Sequence, residues 1–264
     1  MGDKYLSVIT NFGCHFTCPY CVTKNNDIGI PETTLEGLIK LYETIKKSRV
    51  NIVSVSGGGD PLYNYDHVYN KIWYESLFRI CRNAKVKFEM HTSYIISDFF
   101  TEHADKCYRI VYHMRDKHTL SAIRRHGEEI VRVVFVVTED MTKEDIDYIA
   151  EYCKNSENID ELSFRQMIDK NYETTYYHYD YLKEYHKDRW WYIEQNDYNL
   201  YYAENETFLR FEDMKNDKDD VDDADHEHHY CTTCKHIHVP PSKKPCLGCF
   251  DTEHEERPHW EPEE

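Results

Sequence analysis

Ten cysteines are the residues of this chain best suited to chemistry, and seven of them fall into two tight groups. Cys14, Cys18 and Cys21 form a C-x3-C-x2-C loop near the amino terminus, and Cys231, Cys234, Cys246 and Cys249 form two C-x2-C pairs. In a chain without an export signal, such spacings read as metal ligation rather than disulfides. Three thiolates on one loop do not complete a tetrahedral zinc site, but they can hold three irons of a 4Fe–4S cube and leave the fourth iron open. Two C-x2-C turns do bring four thiolates to the corners of a tetrahedron, which suits structural zinc. A segment that short also needs a metal staple to fold. An auxiliary iron–sulfur cluster is the rival occupant there. His226, His228, His229, His236 and His238 crowd the same segment as solvated neighbours or as a substitute ligand. Cys81, Cys107 and Cys153 stand alone and read as small buried apolar residues.

The loops must hang on elements, and the first 170 residues alternate strand-like and helix-like periods. Strands are expected over residues 5–10, 51–56, 86–91, 108–113, 129–138 and 160–167. Helical spacing is carried by residues 35–46 (Leu35, Leu38, Ile39, Tyr42, Ile45), 68–82, 98–104, 119–125 and 143–154. Repeated βα units imply an α/β fold with a parallel sheet and right-handed crossovers. Six units are two short of a closed eightfold barrel, so the expected form is an open, partial (βα)6 TIM-like barrel. Residues 171–189 are rich in Tyr and His and read as helical; 190–195 and 200–211 read as strands pairing in a hairpin. Residues 212–229 are acidic and of low complexity, without apolar periodicity. The expected organisation is a barrel over 1–211, an acidic linker over 212–229 and a small four-Cys metal-binding module over 230–264.

Around the first loop the sequence reads GCHFTCPYC, with Tyr20 before the last cysteine. The second expected strand ends in Ser56-Gly57-Gly58-Gly59-Asp60-Pro61. Glycines there let the backbone approach a ligand, and a carboxylate can accept from an ammonium group. This C-x3-C-x2-C loop, followed by a GGE(P)-like turn, resembles the radical S-adenosylmethionine (SAM) family over roughly residues 5–170; Asp60 stands where that family carries Glu. The resemblance implies a partial βα barrel and a 4Fe–4S cluster on Cys14, Cys18 and Cys21 whose open iron binds the amino and carboxylate groups of SAM. It further implies that an electron from a donor such as flavodoxin or ferredoxin cleaves the sulfonium C–S bond. The resulting 5′-deoxyadenosyl radical would take a hydrogen atom from the substrate. By the same resemblance Tyr20 packs near adenine, Gly57, Gly58, Gly59 and Asp60 meet the SAM ammonium, and Thr92 and Ser93, with His91, contact the ribose. Strand-end capping is the alternative for those last three. In LSFRQM, Arg165 and Gln166 point to opposite faces, so one is directed inward. Arg165 would hold a carboxylate or SAM, or form a surface ion pair. Tyr112, His113 and Arg132 are further candidates of that kind.

SGGGDPL together with Thr92-Ser93-Tyr94 is similar to the activating enzymes of anaerobic ribonucleotide reductase, which implies a glycine of a partner protein as substrate. Thr23 matches the magnesium-binding Thr of 7-carboxy-7-deazaguanine synthases. The substrate therefore stays open among protein glycine, nucleotide-like small molecule and peptide. The four-cysteine module is similar to a zinc ribbon, with substrate or partner docking as its expected role. A non-catalytic iron–sulfur and zinc interaction or electron-transfer protein would explain the cysteines, but not the glycine turn or the six βα units.

The whole chain of 264 residues carries a formal charge of −17, with 40% hydrophobic residues and 23 tyrosines. That composition excludes a wholly disordered chain. The acid is concentrated in residues 212–227 and 251–264, yet the remaining body is also net acidic. This argues against binding long nucleic acid through its phosphates. The longest compact apolar run is only 133–137, far short of a membrane span. The amino terminus lacks a basic region followed by an apolar one, so a cytoplasmic location is expected.

Overall fold

A computed structural model of the chain describes residues 3–185, 190–194 and 200–214. Six strands, β1 (Tyr5–Thr10), β2 (Ile52–Gly57), β3 (Lys87–Thr92), β4 (Arg109–Met114), β5 (Ile130–Val137) and β6 (Glu161–Gln166), pair side by side in parallel and in chain order. The helices between them are α1 (Val22–Asn25), α2 (Leu41–Ser48), α3 (Val68–Ala84), α4 (Asp98–His103) and α5 (Lys143–Asn155), with α6 (Tyr179–Tyr185) after β6. α3 forms because Tyr69, Trp73, Leu77 and Cys81 recur every fourth residue and are all buried. It stops at Lys85, which adopts a left-handed conformation. α5 begins at a reciprocal capping pair, Thr142 and Asp145. One face of the strands, including Val53, Val55, Met90, Ile110, Val133 and Phe164, packs with these helices in a single apolar core.

Four expectations are corrected. Between β4 and β5 the chain makes a 3-10 helix, Lys117–Ala122, rather than an α-helix over 119–125. Leu120 and Ile123 are its buried residues, and the Ile123 N–H closes on the Leu120 carbonyl, so the turn ends there in extended backbone instead of continuing as a helix. The expected helix over 35–46 is split into a 3-10 turn, Glu36–Leu38, and α2. The Gly37 carbonyl, which a continuous helix would need, instead accepts from the Tyr202 hydroxyl at 2.7 Å. The expected hairpin of 190–195 with 200–211 does not form. β7 (Tyr192–Glu194) lies parallel beside β6, while β8 (Leu200–Ala203) lies parallel beside β1, at the opposite side of the sheet. The hairpin that does form joins β8 to β9 (Glu206–Phe208) through Glu204 and Asn205. Both have positive φ (43° and 68°), the handedness two-residue hairpins require. Residues 171–178 likewise form turns and extended backbone with left-handed Tyr172, Tyr176 and His178, so among the described residues only α6 remains of the expected helix over 171–189.

The sheet order runs β7-β6-β5-β4-β3-β2-β1-β8-β9, open at both ends among the described residues. Its inward face is polar. Arg109 on β4 donates to Glu89 on β3 (2.6 Å) and pairs with Glu161 on β6 (3.2 Å), and Arg132 on β5 donates to Glu161 (2.6 Å). Tyr5 on β1, three strands away, accepts from Arg109 at 3.3 Å, so this face is concave. Two acids and two guanidinium groups thus balance in an ionic floor whose central pair, Glu89 and Arg109, is buried, the condition under which charges tolerate removal from water. Burial alone would push the Glu89 carboxyl up; the His91 hydrogen bond and the Arg109 charge outweigh it and hold the group at about 2.

Because Glu89 ionises more readily in the folded chain, the stability it supplies is complete above the ordinary value of 4.5. That contribution is lost as the pH falls toward 2. Urea unfolding of Glu89→Gln is therefore expected to show a flatter acid limb than wild type over that window; parallel profiles would contradict the floor's electrostatics.

Candidate functional site

The loops leaving the carboxyl ends of β1 to β4 converge on one rim, the end at which parallel α/β sheets place their ligands. The loop after β1 carries Cys14, Cys18 and Cys21, all free and partly exposed. Its backbone is already shaped around sulfur: the Phe16 N–H points at Cys14 Sγ (3.4 Å), and a turn closes from Cys21 N–H to Cys18 carbonyl (3.2 Å). Burial raises the Cys18 thiol, Arg115 pulls it down, and Cys21 and Cys14 push it up again, so the three sulfurs share one electrostatic neighbourhood. Among the described residues no three His, Cys, Asp or Glu side chains close on a single-ion site. Three thiolates on one loop are the donor set that a cube taking one thiolate at each of three corners would use.

The glycine turn after β2 is pressed directly against that loop. A Cβ on Gly59 would collide with the Gly13 carbonyl oxygen, and Gly13 itself has φ of 108° with the Tyr63 ring where its own Cβ would go. The Asp60 N–H donates to the Gly13 carbonyl (3.0 Å) and the Gly58 N–H to the Thr10 carbonyl (2.7 Å). Thr23 completes the seam: its hydroxyl donates to the Gly58 carbonyl (3.2 Å) and is 3.1 Å from Cys21 Sγ.

Asp60 does something other than face the rim. Its side chain is buried, with one oxygen accepting from Leu62 N–H (3.0 Å) and the Thr92 hydroxyl (2.7 Å) and the other from Ser93 N–H (2.7 Å). Burial raises its pKa, and these donors act against the rise. The carboxylate therefore pins the end of β3 to the glycine turn. Thr92 is consumed in the same pin, while Ser93 keeps its hydroxyl side half-exposed beside it. Burial first, then the neighbouring Cys18 sulfur, pushes the Tyr20 phenol up to about 12. Over the loop, His15 Nδ1 meets the Tyr94 hydroxyl (2.6 Å), and Arg115 lies 3.7 Å from the Phe16 ring centre. This aromatic cover had no spacing signal in the sequence, because His15, Tyr63, Tyr94 and Arg115 come from four different loops.

Beneath Tyr20 the concave face encloses a cavity of about 400 Å3, with Ser7, Ser54 and Ser56 on one side and His91, His113 and Arg165 on the other. Arg165 has no hydrogen bond or ion pair among the described residues, so it stands in the cavity as a free cation rather than in a surface pair. Gln166 turns to the Tyr177 carbonyl (3.0 Å). Tyr112 is on the opposite, helix-packed face, and Arg132 belongs to the ionic floor, so of the weaker candidates only His113 reaches the cavity. Burial pushes the Cys81 and Cys153 thiols up to about 12 and Cys107 higher still, as inert core residues. The four-cysteine site at Cys231, Cys234, Cys246 and Cys249 lies outside the described residues, as does the linker from residue 215. Phe211–Met214 is a 3-10 turn whose Met214 packs against Ile9, Ile28 and Ile30.

No protein-family model matches this sequence, and no curated protein does. Among solved structures the chain is similar to Streptococcus suis SuiB bound to S-adenosylmethionine, with a TM-score of 0.51 and 16% identity over 74% of this chain and 51% of that one. SuiB bound to precursor peptide SuiA gives a TM-score of 0.49 at 16% identity, over 73% and 49%. The chain spans about half the length of these SuiB chains, and the likeness is one of fold. No described helix is long and apolar enough to cross a membrane.

Removing the Asp60 carboxylate strands three donors, two of them backbone. Asp60→Ala is expected to cost about 1–3 kcal/mol or more in urea unfolding, with Asp60→Asn recovering part of it. An Ala variant as stable as wild type would show that the pin is not formed.

Proposed function

We propose that this chain is a radical SAM enzyme: Cys14, Cys18 and Cys21 hold a 4Fe–4S cluster, SAM binds beside it, and a substrate occupies the cavity below. The observation that carries the reading is the seam between the three-cysteine loop and the glycine turn, set at the carboxyl rim of a parallel sheet above a polar cavity. The fold likeness to a protein seen with SAM agrees with it. When bound, the cluster and SAM supply a 5′-deoxyadenosyl radical that takes a hydrogen atom from the substrate.

The chain's own residues divide the remaining work. The backbone of Gly57, Gly58 and Gly59 offers carbonyls to an ammonium group, and Asp60 acts through position, holding Ser93 at the rim. Tyr20 lies between the thiols and the cavity, where its ring can stack on a purine. Arg165 supplies a cation for a carboxylate. The exposed His15, Thr17 and Pro19 leave the outer side of the loop open to an electron donor of the flavodoxin or ferredoxin kind. The cavity suits a polar small molecule, a nucleotide-like compound or a peptide side chain. Cys231, Cys234, Cys246 and Cys249 are proposed to bind structural zinc in a docking module beyond an acidic linker, in a cytoplasmic protein.

Anaerobically reconstituted protein with dithionite is expected to convert SAM to 5′-deoxyadenosine, and Cys18→Ala to lose that activity to the level of the protein-free control. Equal yields from the two proteins would remove the assignment.

A further inference from the structure

The cavity floor holds a chain of hydrogen bonds that the radical reading does not use. His91 Nε2 is 2.7 Å from Glu89 Oε1, and His91 Nδ1 is 2.9 Å from His113 Nε2. Glu89 is almost wholly buried and bonded on its other oxygen to Arg109 (2.6 Å). An ionised carboxylate only accepts, so His91 Nε2 carries a proton. In a neutral His91 the other nitrogen is then bare, and it must accept from His113 Nε2–H. His113 in turn is left with a bare Nδ1, which has no partner among the described residues, on a ring that lines the cavity.

We propose that Glu89, His91 and His113 form a proton relay ending at His113 Nδ1, which acts as general base toward a hydroxyl- or amine-bearing substrate in the cavity. The inference rests on the cavity being the substrate site. In the step, the substrate O–H or N–H bond breaks and its proton bonds to His113 Nδ1. The proton on His113 Nε2 passes to His91 Nδ1, and the bonding pair stays on the substrate oxygen or nitrogen. The product state is a neutral His113 of the other tautomer and a charged His91 held against Glu89. The order of groups is that of a carboxylate-oriented imidazole base, with a second imidazole interposed.

The surroundings keep His113 neutral at rest and leave the final charge on His91, beside Glu89. Burial, then His91 and Arg165, hold His113 well below the ordinary imidazole range, so it does not stand protonated before substrate binds. Glu89 acts the other way on it, and Arg109, Glu161, Arg132 and Tyr5 form the balanced layer beneath. His91 and Glu89 are positioning residues; His113 meets the substrate.

Ring-nitrogen NMR of the full, anaerobically reconstituted chain labelled with 15N-histidine tests this without a substrate. Expected is a His113 with bare Nδ1 and protonated Nε2, unchanged from about pH 6 to about pH 8. Glu89→Gln is expected to lose that fixed tautomer and give a mixture. A His113 protonated at Nδ1 in wild type, or a tautomer indifferent to Glu89→Gln, would overturn the relay. His113→Gln assigns the signal; should it fail to fold, His91→Gln or coupling across the His91–His113 hydrogen bond does so. The ring signals are read whether or not SAM is cleaved, so the relay and the radical assignment fail separately.

Discussion

Everything at the rim depends on two backbones touching where no side chain fits. Gly59 lies on the carbonyl of Gly13, and Asp60 and Gly58 donate across the same seam. This contact fixes the cysteine loop relative to the ends of β1 and β2, and the Asp60 carboxylate extends the tie to β3. A loop bearing three thiols would otherwise be free to move, as surface connections are. Here it is held by the strands' own termini. The parallel order of the sheet brings those termini to the same side. Sequence-local features (a glycine run and an acid) thus become a rigid platform only because the topology superposes them.

The two faces of the sheet divide stability from chemistry. The strands of parallel sheets are ordinarily apolar on both faces. In this chain the helix-facing side follows that rule, with Val53, Met90, Ile110, Val133 and Phe164 buried together. The concave side instead carries serines, two histidines and alternating acids and guanidinium groups. Each charge of the floor is matched by a neighbour on the next strand or the one after, whereas Arg165 has no ion pair among the described residues. The unmatched cation sits at the cavity, where a ligand can complete it, and that asymmetry separates the ionic floor from the site above it.

Much of this was legible in the sequence. The six strands emerge within a residue or two of their expected bounds because each is a short apolar or strictly alternating run flanked by polar turns. The cysteine spacing and the glycine turn located the rim. Other features were hidden for identifiable reasons. β7 and β8 are too short to declare a partner, and their separation to opposite sides of the sheet is a tertiary choice; the left-handed Glu204-Asn205 turn, not the apolar pattern, sets the real hairpin. The role of Asp60 was obscured because a carboxylate's partners come from a strand thirty residues away. Glu89 and Arg109 could have been found: strict alternation in KFEMHT puts Glu89 with His91, and in RIVYHM it puts Arg109 with His113, on one face. Charges within buried strands were the signal that went unread.

The central claim is that the three-thiol loop carries an iron–sulfur cube with one iron open to a sulfonium cosubstrate. Low-temperature EPR of the anaerobic, dithionite-reduced chain with and without SAM tests it most directly. The account requires a reduced-cluster signal whose g values move when SAM is added. A cluster spectrum indifferent to SAM, or protein that retains only zinc at Cys14, Cys18 and Cys21, would contradict it.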